Sequence, residues 1–79
     1  MRIEFYGVLT EAAGVRHMEM EVTGRATVQD ILDRLQATVP GLERHLPRVA
    51  CAVGDDMVTR GDPLEADATL VLLPPVSGG

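Results

Sequence analysis

The chain opens with alternation. In MRIEFYGVL, Met1, Ile3 and Phe5 fall on one side and Arg2, Glu4 and Tyr6 on the other. Period two with β-favouring residues predicts a strand. TEAAGVR breaks that period and reads as a loop or single helical turn ending at Gly14. HMEMEV alternates again, with Met18, Met20 and Val22 inward and His17, Glu19 and Glu21 outward. The two alternating runs read as a hairpin. In TVQDILDRLQATVPG the period changes. Val28, Ile31, Leu32, Leu35 and Val39 share one helical face, with Asp30, Asp33, Arg34 and Gln36 opposite. Thr27 is placed to N-cap this helix, and Asp30 completes a capping box with the shorter acid. Asp30 and Arg34 are spaced for an i, i+4 ion pair, and Pro40-Gly41 stops the helix.

After the helix, LERHL predicts one further short turn before Pro47. RVACAV reads as a strand, GDD as a turn and MVT as a short strand. RGDPLEADA reads as a loop, with Leu64 plugging the core beneath it. TLVLL is apolar at every position, which suits a central strand or one covered on its outer face. The order β, β, α, β, β, β predicts an α+β fold, a mixed sheet of about five strands with one main helix packed across one face. First and last strands lying side by side at the centre is the β-grasp (ubiquitin-like) arrangement. The division is a domain over 1–73 and a flexible, extended tail over 74–79.

Composition narrows the functions. Seventy-nine residues make one small domain, which buries only ~60% of its unfolded surface and has no room for a deep cleft. The net charge is −5, and the seven basic residues are scattered arginines with no lysine among them. That balance argues against nucleic acid, which needs a positive footprint. No apolar run approaches the ~20 residues of a membrane span, and the first residues lack a signal-peptide layout. A single cysteine suits a reducing compartment. A soluble, cytoplasmic protein is expected.

Candidate chemistry is sparse. Cys51 stands alone in an apolar strand and reads as a buried structural residue, since a metal or cluster site needs several ligands. His17 and His45 read as ordinary surface histidines. Asp55, Asp56, Asp62, Glu65 and Asp67 are loosely grouped in loops without EF-hand spacing. Arg60-Gly61-Asp62 matches an adhesion tripeptide but reads as a plain turn. The glycines form no phosphate-binding fingerprint, and no nucleophile–base pair is visible. No metal or bound cofactor is expected.

The ending LLPPVSGG remains. Pro74 and Pro75 fix their own φ, and Pro75 restrains Pro74 towards extended geometry. Val76 and Ser77 add modest bulk. Gly78 and Gly79 are thin enough for another protein's channel. A carboxylate there resists attack until it is joined to AMP, after which sulfur or an amine can attack the unhindered glycine carbon. On the residues alone, a carried acyl group and a passive tail or cloning remnant both stay open.

The ending LLPPVSGG resembles the terminus of the molybdopterin synthase small subunits, ubiquitin-like sulfur carriers of β-grasp fold. The strand RIEFYG with its Glu-Ala-Ala-Gly connection, the helix TVQDILDRL and the strand RVACAVG extend the resemblance along the chain. The turn at Gly54-Asp55-Asp56 and the stretch EADAT depart from many relatives, and the low aromatic content makes the surface more aliphatic than usual. The resemblance implies that Gly79 is adenylated by an E1-like adenylyltransferase, which uses ATP. A sulfur donor enzyme then converts it to a thiocarboxylate. Pro74, Pro75, Val76, Ser77 and Gly78 would enter the synthase large subunit, which holds the catalytic side chains, in an assembly of two small and two large subunits. Sulfur would pass to cyclic pyranopterin monophosphate to form the dithiolene. From strand alternation, Tyr6, Val71 and Leu73, with Met57, are expected to form an apolar partner surface beside the tail. The alternatives are a carrier for thiamine thiazole or cysteine synthesis, a ubiquitin-like protein modifier, or an interaction module with an inert tail.

Overall fold

The computed structural model describes residues 1–75. Seven strands and two α-helices follow in order: β1 Arg2–Phe5, α1 Val8–Ala13, β2 His17–Glu19, β3 Ala26–Thr27, α2 Val28–Thr38, β4 Ala50–Val53, β5 Asp56–Val58, β6 Pro63–Leu64 and β7 Thr69–Leu73. Two short 3₁₀ turns, Pro40–Leu42 and Leu46–Arg48, link α2 to β4. Five strands form one mixed sheet in the order β2-β1-β7-β4-β5. At its centre β7 runs parallel to β1 and antiparallel to β4. This is the β-grasp arrangement, with first and last strands adjacent.

Alternation decides which side chains meet α2. Ile3 and Phe5 of β1, Cys51 of β4, and Leu70 and Leu72 of β7 all point to the covered face and are buried. From the helix, Val28, Ile31, Leu32 and Leu35 pack against them. Leu9, Leu42, Leu46, Val49 and Leu64 close the margins of this core. Among the described residues no polar or charged side chain is fully buried, so aliphatic burial at ~25 cal/mol per Å² is the main driving term.

The start of α2 is written in the sequence. The Thr27 hydroxyl accepts from the Asp30 N–H at 3.1 Å, and the Asp30 carboxylate accepts from the Thr27 N–H at 2.9 Å. Both bonds of the capping box form, which satisfies two otherwise orphaned donors. The Asp30 carboxyl is held below its ordinary range, first by the Thr27 backbone N–H bonded to it and next by the nearby Thr27 hydroxyl. The expected Asp30–Arg34 ion pair does not form, because the carboxylate is turned back to the cap. Among the described residues the ion pairs join Arg2 to Glu4 and Arg25 to Glu65.

Three further expectations are corrected. The first strand ends at Phe5, and Val8 and Leu9 belong to α1 rather than to an extended run. Leu9 is buried by that change of direction. The single turn expected before Pro47 is two turns, each with a proline in its first turn, where a missing N–H costs nothing. The loop before β7 contains β6, which pairs with β3 through Ala26–Leu64 and Thr27–Pro63. Two-residue strands are too short for a period to show. No helix among the described residues is long and apolar enough to cross a membrane.

Candidate functional site: the open sheet face and the root of the tail

Among the described residues, no helix covers the other face of the sheet. Strand register places His17, Glu4, Val71, Ala52 and Met57 in one row across all five strands. Beside that row, Ala50 is opposite Leu73. On the other side, Arg2 lies between Glu19 and Thr69. The face is therefore divided. Its β2–β1 half is charged, and its β7–β4–β5 half is small and apolar. Met57, on the edge strand, is 63% exposed, the most exposed large hydrophobic residue described. Val71 and Leu73 are half-buried.

The charged half is ordered along β1. Arg2 Nε donates to Glu4 Oε2 at 2.9 Å, and the Tyr6 hydroxyl donates to Glu4 Oε1 at 3.3 Å. The Arg2 bond is the largest influence holding the Glu4 carboxyl below its ordinary range, and the Tyr6 bond adds to it. Tyr6 is 49% exposed. A shallow groove of about 420 Å³ runs beside this ladder, between Glu4, Tyr6, Gly7, Thr10, Arg16 and His17.

The four residues expected to form a partner surface share this face, but not as one apolar patch. Met57, Val71 and Leu73 form the apolar half with Ala50 and Ala52. The Tyr6 hydroxyl is tied to Glu4, so the ring borders the charged half. Alternation gave the face of each residue; it could not give the hydroxyl's partner.

Pro74 and Pro75 follow β7 directly. Because Phe5 is opposite Leu72 in the parallel pair, the residues two further on, Gly7 and Pro74, come side by side. Gly7 has φ 57° and ψ −137°, a region that strains a residue with a side chain by about 1–3 kcal/mol. A Cβ at Gly7 would also lie 2.9 Å from Pro74 Cγ. Gly7 belongs to no phosphate motif, so motif reasoning passes over it. The usable signal is a glycine interrupting an alternating run, which marks a close backbone approach. The expected tail residues Val76, Ser77, Gly78 and Gly79 lie outside the described residues.

The remaining candidates are structural. Cys51 faces α2, and burial pushes its thiol pKa up, partly offset by the positive Arg60. Arg60 donates to the carbonyls of Leu46 at 2.7 Å and Val49 at 3.4 Å. Asp62 accepts from the Thr59 N–H at 2.8 Å. The Arg-Gly-Asp tripeptide is thus an internally bonded turn, as expected. His17 is exposed and His45 half-buried. Among the described residues, nothing on the open face resembles a nucleophile with a base. The face can dock, and the end of β7 can present the tail to whatever docks there.

The chain matches the ThiS family over residues 3–79. It is 32% identical over 87 aligned positions to small archaeal modifier protein 1 of Haloferax volcanii, covering all of both chains. A crystal structure of that archaeal protein superposes with a TM-score of 0.86 at 33% identity, covering 100% of this chain and 98% of the other. The solution structure of the H. volcanii HVO 2177 protein gives 0.84 at 26% identity, covering 99% and 84%. A Pyrococcus furiosus protein proposed to be molybdopterin converting factor subunit 1 gives 0.83 at 19% identity, covering 95% of each chain, a likeness of fold alone.

Proposed function

The chain belongs to the ThiS family of ubiquitin-like β-grasp sulfur carriers and modifiers, and on that premise we propose that it is the sulfur carrier subunit of a molybdopterin synthase. An E1-like enzyme adenylates the Gly79 carboxylate with ATP, releasing pyrophosphate. Sulfur from a donor enzyme displaces AMP to leave a thiocarboxylate. The large subunit receives the tail and directs the sulfur to cyclic pyranopterin monophosphate. The observation that carries this reading is positional. The central strand β7 feeds Pro74 and Pro75 from the edge of an uncovered face whose β7–β4–β5 half is apolar. A partner that covers that face meets the tail at its root. The resemblance of LLPPVSGG to the family ending supports the choice of pathway.

A second reading is favoured by the similarity to small archaeal modifier protein 1. In it the activated glycine is joined to amines of other proteins. The 79 residues contain no lysine, so chains built through lysines of this protein are not available to such conjugates.

The test incubates the chain with an E1-like activating enzyme, ATP and a sulfur source, and follows intact mass. Replacement of one oxygen by sulfur is expected. Thiocarboxylated chain plus a synthase large subunit should then yield the dithiolene. Sulfur gain followed only by attachment to protein amines would overturn the synthase assignment in favour of the modifier. No sulfur gain and no conjugation would leave an interaction module.

A further inference from the structure

We propose that Gly7 is the seat of Pro74 and sets the direction in which the chain leaves β7. Its activity readout rests on the carrier reading above; its structural readout does not.

Parallel pairing of β1 and β7 brings the two ends out together, with Gly7 and Pro74 each two residues past the Phe5–Leu72 pair. Gly7 is a fixed wall rather than a yielding loop. Its carbonyl accepts from the Thr10 N–H at 3.0 Å, the Tyr6 carbonyl accepts from the Leu9 N–H at 3.1 Å, and the Thr10 hydroxyl donates to the Phe5 carbonyl at 3.2 Å. These bonds hold the turn that starts α1. Against it stands the Pro74 ring, its Cγ 2.9 Å and its Cδ 3.7 Å from where a Gly7 Cβ would sit. A ring carbon is not the free end of a rotatable side chain. A methyl at position 7 would therefore push the ring, and with it the backbone that leads to Pro75. The restricted φ of each proline passes that displacement on. Gly7 touches no reacting atom; it is a positioning residue acting through Pro74.

Positive φ alone would also favour glycine at position 7. The two causes separate in a double-mutant cycle of Gly7→Ala and Pro74→Ala. The φ strain is present in either background, whereas the collision exists only when Pro74 is there. The readouts are kcat and KM for pyrophosphate release with an E1-like activating enzyme and ATP, together with NMR contacts between Gly7 Hα and Pro74 Hγ. Gly7→Ala is expected to keep the folded amide spectrum, to alter the Cα–Hα dipolar couplings of Pro74 and Pro75, and to lower kcat about 10- to 100-fold, the cost of an ångström-scale misplacement. KM is expected to stay within about 2-fold, because the docking face is untouched. In the Pro74→Ala background, adding Gly7→Ala should change kcat little. An equal loss in both backgrounds, or an unchanged kcat and unchanged couplings in folded Gly7→Ala, would overturn the proposal.

If Gly7→Ala does not fold, Gly7→D-Ala made by chemical synthesis replaces it. A D-residue accepts positive φ, and its methyl does not take the position that lies 2.9 Å from Pro74 Cγ. Wild-type kcat and couplings are expected, and a folded but impaired protein overturns the seat. If no activating enzyme adenylates the wild-type chain, the carrier reading fails alone. The Gly7–Pro74 contact and the couplings still decide this one, and their absence in the wild type overturns it.

Discussion

The two faces of the sheet are built from the same strands, yet they differ in what they need. Along β7, Leu70 and Leu72 are completely buried under α2, while Thr69, Val71 and Leu73, one step away each, remain partly open. On the covered face the central positions are filled against the protein's own helix. On the other, apolar residues stay partly open beside the tail root, and no helix among the described residues covers them. Fold-keeping thus falls to one set of alternate residues; under the proposed function, docking falls to the next.

The sharpest way to break that comparison is to exchange neighbours. Leu72→Ala should cost about 2–5 kcal/mol, as cavity-forming core truncations do. That is comparable to the ~3–5 kcal/mol a domain of this size has in total. Val71→Ala should cost about 1 kcal/mol or less, since only part of its surface leaves water. Denaturant midpoints for the pair measure the difference. Equal midpoints would mean that the open face is also part of the core.

The next effect is on docking. Met57→Glu places a charge on an exposed edge-strand residue, where stability should move by no more than about 0.5 kcal/mol. Affinity for the activating enzyme or a synthase large subunit should fall about 10-fold, or ~1.4 kcal/mol. Calorimetric titration against either partner, with a thermal melt of the variant as control, checks both halves. Unchanged affinity for both would remove Met57 from the partner surface.

Much of this division was legible in the sequence, and the reason is periodicity. Period two put Ile3 and Phe5 on one face and Tyr6 on the other, and alternation along the uniformly apolar TLVLL grouped Val71 and Leu73 with Tyr6. Period 3.6 identified the buried stripe of α2, and Thr27 with Asp30 marked its start. The illegible parts lack a period. β3 and β6 are two residues each, and a strand that short cannot show alternation. The Arg2–Glu4–Tyr6 ladder depends on rotamers. Gly7 matters through Pro74, 67 positions away, and only the parallel pairing of β1 with β7 brings them together.

A smaller effect tests how far the covered face depends on the helix's own start signal. Thr27→Ala removes the hydroxyl acceptor and should cost about 1 kcal/mol. Thr27→Ser keeps the acceptor and should recover most of it. If Thr27→Ala is neutral in urea denaturation, packing of Val28, Ile31, Leu32 and Leu35 alone fixes where α2 begins.

The smallest effect lies within the open face and sharpens its division into halves. Glu4 accepts more strongly from Arg2 and Tyr6 when ionised, and its carboxyl is held below the ordinary value of 4.5, chiefly by the Arg2 bond. A carboxyl whose folded pKa is depressed contributes stability above its unfolded value and loses it as pH falls through the folded value. Arg2→Gln should therefore raise the Glu4 midpoint towards 4.5. It should also flatten the loss of stability on acidification, while Tyr6→Phe should do the same to a lesser degree because its bond contributes less. A carbon-detected NMR titration of the Glu4 carboxyl reads the midpoint directly, and denaturation across the same acid range reads the linkage. The ladder is solvent-exposed, so salt should shrink both effects. A Glu4 midpoint identical in the wild type and Arg2→Gln would show that the charged half is not an organised ladder. The apolar half would then be the only structured part of the face that a partner meets.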